Sequence, residues 1–393
     1  MPPTIRVIGS LNADMVSITP RFPSAGETIT SSAYFISAGG KGANQAVACG
    51  RLSRPQHHHT TTQSADSSTA SSTSSDVCVE MVGAVGGLDG HFETLLKPTL
   101  EKSGVDTSRV QIIDDAYTGV AVIIVDSSAG GENRIIFTPG ANYKGMDLDA
   151  SSSSVDILGL ALAAPVPDVI VMQGEIPTDT TIGILRDIAR WKGQRREQGK
   201  KGVEASPDVI FNPAPAPPGG LPADVYAGVD HLIMNETEAG IMTPPWEELL
   251  NVPGVTESQD GKEQVARYFH SLGVTYVLVT LGAKGVWYSA ADPGNVGNLP
   301  GRVTNQVPAA KVSRVLDTTA AGDTFVGAYA VKIARWREGR RVAGKGGVEL
   351  TGEEKRGRYA GVMDEAMEVA TRAAARCVER QGAMDSIPWE DEI

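Results

Sequence analysis

Cysteine is scarce. The 393 residues contain three, Cys49, Cys78 and Cys377, far apart and with no Cys-x-x-Cys pair. That excludes a disulfide scaffold and points to a reducing compartment. Long apolar runs are missing too. The most apolar stretch, residues 155–172, is broken by Asp156, Pro165, Pro167 and Asp168. It cannot supply the roughly 20 apolar residues of a membrane span. The start, Met1-Pro-Pro-Thr-Ile-Arg6, has no apolar core of a secretory signal. Basic residues are outnumbered, 35 against 47, for a net charge of −12. This argues against nucleic-acid and anionic-membrane partners. It leaves a phosphate ligand open, because helix N-termini bind phosphate without cationic side chains. What is present is globular: 41% hydrophobic and 21% charged residues, enough for a sizeable core. The expectation is a soluble protein of the cytoplasm, with the nucleus as a further open location.

Short β-rich apolar runs occur at 5–9, 77–82, 169–173, 209–212, 231–234 and 276–280. Helical patterns occur at 43–52, 178–191, 264–272, 321–336 and 363–379. Alternating strands and helices predict parallel βαβ units and a doubly wound α/β sheet spanning 1–393 as one domain. Ligands of such sheets sit beyond the C-terminal strand ends. Residues 14–18 with 27–36, and 118–126 with 132–138, break the alternation. They predict a small antiparallel β-sheet over the domain edge, a lid, with a hairpin link at 127–131. Residues 60–75 hold 12 Ser or Thr out of 16. The segment 53–76 is therefore expected to be a disordered insertion. Residues 151–154, 192–206 and 339–357 read as further polar loops. His57-His58-His59 reads as a solvated tract rather than a metal site.

Five constellations carry chemistry. Asn12 and Asp14, after the first strand, pair an amide with a carboxylate, suited to adjacent hydroxyls; an Asx turn is the structural alternative. Gly39-Gly40-Lys41-Gly42-Ala43-Asn44 turns into a helix. It is not a P-loop, because Gly42 stands where a Mg²⁺-binding hydroxyl is required. Its bare backbone lets a small polar ligand approach. Residues 83–90 form a glycine-rich turn without dinucleotide spacing. Asn235 and Glu238 follow a strand, as a helix start or as donors to phosphate and to Mg²⁺ through water. Thr280, Gly282, Lys284 and Gly285 form a turn that exposes amides to a nucleotide, or simply a hairpin. The fifth, Asp317-Thr-Thr319-Ala320-Ala321-Gly322-Asp323, leads unobstructed amides into a helix. They form a cradle for a phosphoryl group, with Asp323 as general base.

Together these residues resemble the PfkB carbohydrate-kinase family, and within it the ribokinases. The segments 39–46 and 317–325 match the family's two signatures. Gly26-Glu27-Thr28, residues 172–175, Asn212-Pro-Ala-Pro215, 235–238, 280–282 and the tail at 381–389 follow in the same order. The resemblance implies ATP-dependent phosphorylation of D-ribose at O5, with ATP, Mg²⁺ and K⁺. It implies that Asn12, Asp14, Gly40, Lys41, Gly42, Asn44 and Glu175 hold the sugar. Asn235, Glu238, Thr280, Gly282, Lys284, Gly285 and Gly322 would line the ATP site. Asp317, Thr319, Cys377, Arg380, Gly382 and Ser386 occupy positions matching a K⁺ site of oxygen ligands. Apart from the resemblance, the lid strands at 14–18, 27–36 and 118–138, a small sheet without helices that exposes an apolar face and edges, predict a homodimer, with Ile18, Ile29, Ile124, Ile136 and Phe137 as candidates for the buried face. Two alternatives stay open. One is a kinase for another sugar or a nucleoside. The other is a non-catalytic sugar-binding regulator, which would predict erosion of Asp323 or of its cradle.

Overall fold

The computed structural model describes residues 2–56, 77–128, 132–148, 156–293 and 301–393. His57-His58-His59, most of the 53–76 insertion, the end of the 127–131 link and the 151–154 run lie outside the described residues.

Thirteen strands are present among the described residues: β1 (Thr4–Ile8), β2 (Asn12–Thr19), β3 (Ala33–Gly39), β4 (Cys78–Gly86), β5 (Val105–Ile113), β6 (Gly119–Asp126), β7 (Glu132–Thr138), β8 (Val169–Met172), β9 (Asp208–Phe211), β10 (His231–Asn235), β11 (Tyr276–Thr280), β12 (Val286–Ala290) and β13 (Val303–Val307). Nine form one sheet in the order β13-β12-β11-β10-β9-β8-β1-β4-β5. It is parallel from β11 to β5, with β12 and β13 antiparallel at one edge. All four residues of β8, and of β9, are buried, because helices cover both faces. Helices Lys41–Arg51, Ala321–Val342 and Met363–Val378 close one face. Thr178–Glu197 and Gly261–Ser271 close the other. This is the doubly wound α/β fold expected. Among the described residues no helix is long and apolar enough to cross a membrane.

The remaining strands form a second sheet, β3-β2-β6-β7. Its hairpins are antiparallel as expected, but β2 and β6 join in parallel. The register aligns Ile36, Met15, Val122 and Ile136 across all four strands, on the face away from the domain. Successive strand residues point to opposite faces, so Ile136 and Phe137 cannot share one. Phe137 is level with Asp14 and lines the cavity described below; Ile18 is on that face too. Of the five expected outer-face residues, Ile124 and Ile136 are so placed, and Ile29 lies in no strand.

Other expectations need correction. β3 begins at Ala33, and residues 27–32 are coil closed by the Ser32 amide on the Ile18 carbonyl. The glycines of 83–90 are not all turn. Gly83 and Gly86 are inside β4, where a Cβ on Gly83 would lie 2.5 Å from the Gly9 carbonyl oxygen. The segments 192–206 and 339–357 are partly helical. Their polar residues extend Thr178–Glu197 and Ala321–Val342, with Arg195, Arg196, Arg340 and Arg341 in the last turns, where the helix dipole favours cations. Thr351 then caps a further short helix, Gly352–Gly357.

The segment between residues 56 and 77 departs from the sheet end opposite β1's C-terminus. Lys41–Arg51 carries the chain away from that terminus, and Cys78 starts β4 level with Thr4. The Arg54 guanidinium donates to the carbonyls of Val77 and Gly104 at 3.5 and 3.3 Å, so the two ends of the segment meet.

Helices Lys41–Arg51 and Ala321–Val342 cross at Gly327, where a Cβ would lie 2.3 Å from the Ala48 Cβ. Gly327→Ala should therefore force the helices apart and cost about 1–3 kcal/mol. Urea unfolding measures this, and unchanged stability would show that the crossing has slack.

Candidate active site

The loop after β1 meets the start of helix Lys41–Arg51 at the C-terminal edge of the large sheet. Gly42 sits so close that a Cβ would lie 2.5 Å from the Ser10 nitrogen. The Ser10 carbonyl accepts from Ala43, and its hydroxyl accepts from the Gly42 amide. Glu175, just after β8, caps this helix. Its Oε2 accepts from the Lys41 amide at 2.9 Å and the Ser10 hydroxyl at 2.6 Å. Gly40, at φ 89°, makes the turn into the helix, with no room for a side chain over Leu11 and Asn12.

Above this turn the small sheet supplies Asn12 and Asp14 from β2. Gly39 on β3 leaves the space the Asp14 carboxylate fills; a Cβ there would lie 2.1 Å from it. The Asn12 Oδ1 accepts from the Asn142 Nδ2 at 2.7 Å, which leaves the Asn12 Nδ2 as the donor to a ligand. The facing wall is the N-terminus of Ala321–Val342. Ala320 caps it at φ 60°, the one non-glycine residue with positive φ among the described residues. That conformation costs about 1–2 kcal/mol. It turns the first-turn amides, which have no acceptor within the helix, toward the cavity. One expectation changes: the Ala321 amide donates to the Thr318 carbonyl at 3.3 Å, so of the four expected amides it is the one engaged elsewhere, and those of Ala320, Gly322 and Asp323 are left for the cradle. Asp323 is buried. Its Oδ2 accepts from Asn44 at 3.0 Å and its Oδ1 from Gln45 at 2.9 Å.

The resulting cavity is about 410 Å³. Of the expected residues, Asn12, Asp14, Gly40, Lys41, Asn44, Glu175, Asn235, Glu238, Thr280, Thr319, Ala320, Gly322 and Asp323 line it. Gly42, Ala321, Gly282, Lys284 and Gly285 stand outside its wall. Gly42 and Gly285 are needed for close backbone approach: a Cβ on Gly285 would lie 2.0 Å from the Val307 carbonyl oxygen. Gly282 and Lys284 form the single turn that leads into β12. Asn235 and Glu238 form a reciprocal capping box, which occupies the Asn235 Oδ1 and leaves its Nδ2 as donor.

Charge inside the cavity is unbalanced. Burial, then the carboxylates of Glu175 and Asp323, push Asp14 up to about 7, and Lys41 opposes them. Burial likewise raises Glu175 and Glu238. Asp323 foremost holds the Lys41 ammonium above its ordinary range, against the cost of burial. The Asn44 Oδ1 is buried without a protein partner, an acceptor that a ligand hydroxyl would satisfy. These groups suit a small polyol, with a phosphoryl group at the helix end.

The tail folds back onto the loop before that helix. Gly382 donates to the Asp317 Oδ2 at 3.0 Å, and Thr319 donates to its Oδ1 at 2.9 Å. The Cys377 thiol, kept neutral by burial, lies 3.5 Å from the Thr319 carbonyl and 3.1 Å from the Ser386 hydroxyl. The Cys377 carbonyl accepts from the Arg380 amide, and the Arg380 guanidinium pairs with Glu392. The six expected positions thus converge.

Sequence reasoning missed several residues. Asn142 braces Asn12 from beside the lid, 130 residues away, with no local signal. Gln45 stood within a recognised segment, next to Asn44, and was given no role. Ile123, Ile135 and Phe137 give the cavity an apolar wall; strand alternation could have separated Phe137 from Ile136.

Residues 3–390 match the family described as pfkB family carbohydrate kinase. The ribokinase of Schizosaccharomyces pombe is 33% identical over 98% of this chain and 94% of its own. The solved ribokinase of Thermotoga maritima superposes with a TM-score of 0.66 at 28% identity, covering 99% and 97%. The Arabidopsis thaliana ribokinase, solved with ribose and ATP, superposes with a TM-score of 0.64 at 27% identity, covering 100% and 97%.

Carboxyl-carbon NMR should show Asp14 titrating near pH 7, and Lys41→Met should move the midpoint higher. Because folding raises this pKa, Asp14 favours the fold below its unfolded value of about 4 and loses that contribution as pH rises toward 7. Asp14→Asn should accordingly stabilise the protein more at alkaline than at acid pH. An Asp14 midpoint near 4 would contradict the crowding of carboxylates.

Proposed function

The chain belongs to the pfkB family of carbohydrate kinases, and we propose that it transfers the γ-phosphoryl group of ATP to O5 of D-ribose. The observation that carries this is the meeting, in one cavity, of a hydroxyl-binding set with Asp323 and the amide-bearing start of helix Ala321–Val342. The names of the relatives and the ribose and ATP bound to the Arabidopsis enzyme support it. Asn12, Asp14, Lys41 and Asn44 hold the sugar hydroxyls, and Glu175 fixes the turn that presents them. The proton of O5 passes to the Asp323 Oδ2 as the O5–P bond forms. The bond from the γ-phosphorus to the bridging oxygen breaks, and ADP leaves. The amides of Gly322 and Asp323 face the charge gathering on the transferred group. Asn235 and Thr280 flank the phosphates, and Glu238 would order Mg²⁺ through water.

The apolar wall of Ile123, Ile135 and Phe137 is the feature a nucleoside base would also use. A coupled ADP-release assay over ribose, 2-deoxyribose, fructose and adenosine separates the readings; turnover of adenosine but not ribose would overturn the first. Asp323→Asn should lower turnover by about 10²–10⁴-fold with ribose binding kept, since an amide cannot take the proton.

The loop and tail fit a monovalent cation. Asp317, the carbonyls of Thr319, Cys377, Arg380 and Gly382, and the Ser386 hydroxyl offer oxygen only, which suits a hard ion such as K⁺. Such an ion supplies positive charge and stiffness to the loop behind the amide cradle. Activity should rise with K⁺ at constant ionic strength, and Asp317→Ala should lose that response while ribose still binds. Equal rates in K⁺, Na⁺ and a bulky organic cation would refute the site.

The outer face of the small sheet exposes Tyr34, Ile36 and Ile136, the last to 61%. We assign this face to a homodimer, because pairing hides both it and the β3 and β7 edges. Sedimentation should give a dimer that Ile136→Glu dissociates; a fully active monomer would count against it.

A further inference from the structure

Asp323 is not held by the sugar site alone. Behind it runs a buried chain of amides whose polarity is fixed at its far end. The Asn212 Nδ2 donates to the Ile233 carbonyl at 2.9 Å, so its Oδ1 must face Gln45. The Gln45 Nε2 donates to that Oδ1 at 3.0 Å and to the Asp323 Oδ1 at 2.9 Å. The Gln45 Oε1 is in turn the acceptor of the Gln173 Nε2 at 2.7 Å. Gln45 and Gln173 are 0% and 1% exposed. No atom of the Gln45 amide is left for a ligand, and Gln45 does not line the cavity.

We propose that Gln45 is a positioning residue for the base. It ties down one carboxylate oxygen, so that the other is left to the cavity. Among the described residues the Asp323 Oδ2 is shared only with Asn44, a residue of the cavity wall, and a carboxylate oxygen accepts more than one hydrogen bond. Oδ2 can therefore keep Asn44 and still receive the O5 proton. The amide cannot flip to present oxygen to Asp323, because the Asn212 Oδ1 and the carboxylate, both acceptors, require the Gln45 Nε2. The carboxylate plane is thereby set before the sugar binds, and no reorganisation is left for the reacting complex. Gln45 follows Asn44 in the chain, so one helical turn holds both oxygens of the base from two sides. This assignment rests on Asp323 acting as the base in the reaction proposed above.

The test uses the full chain, with steady-state kinetics in ribose and ATP and ribose binding by calorimetry. Gln45→Met keeps the length of the side chain and removes the donor. It should lower kcat by about 10²-fold, the cost of a misplaced reacting group. Ribose Kd should stay within about threefold of wild type, less than one hydrogen bond is worth. Wild-type kcat in this variant, or an equal loss in ribose binding, would overturn the positioning role. If Gln45→Met does not fold, Gln173→Met decides. It leaves every atom in contact with Asp323 in place and only unlocks the Gln45 amide. A kcat reduced by about tenfold at unchanged ribose Kd supports the lock, in the range of a single hydrogen bond, and a wild-type kcat overturns it. Failure of the wild-type chain to phosphorylate ribose would instead overturn the functional reading itself.

Discussion

The placement of Asp323 in the candidate active site depends on the crossing of two helices. Lys41–Arg51 and Ala321–Val342 are separated by about 280 residues of chain, yet they pack so tightly that Gly327 admits no methyl group against Ala48. Their N-termini open at the same edge of the large sheet. One brings the Asn44 and Gln45 amides, the other the Asp323 carboxylate, and the hydrogen bonds between them form because the crossing leaves no slack. The β1 turn and Glu175 fix the first helix in height, and the αL turn at Ala320 fixes the second.

The cavity gathers carboxylates at a cost that burial makes large. Asp14, Glu175, Glu238 and Asp323 surround a single ammonium, that of Lys41. Such crowding is tolerable in an open pocket because water and one lysine moderate it. A ligand that supplies hydroxyl donors relieves it further. The carboxylate-rich end of the cavity, at Asp14 and Glu175, therefore favours a neutral, hydroxyl-bearing molecule, and an anionic group is left to the amides at the start of Ala321–Val342.

The sequence was most legible where the backbone has few options. Gly39, Gly40 and Gly42 were read as a bare, close-approaching backbone, and a Cβ on each would strike Asp14 or the loop after β1. Alternating strands and helices announced the large sheet. Less legible were features that depend on partners distant in the chain. Asn142 and Gln45 are ordinary polar residues until tertiary packing places them against Asn12 and Asp323. Polar helix ends at 192–197 and 339–342 read as loops, because composition carries the exposed face of an amphipathic helix poorly. The outer face of the small sheet was misjudged from hydrophobicity alone; period-two alternation separates Ile136 from Phe137.

The ends of the segment between residues 56 and 77 meet at the pole of the sheet opposite the cavity, where Arg54 clasps the Val77 carbonyl. A chain that leaves and returns through one point places no strain on the strands it joins. That pole is a natural splice site. A reporter domain with neighbouring termini could be grafted there, where its fluorescence or affinity handle stays clear of both the cavity and the outer face of the small sheet.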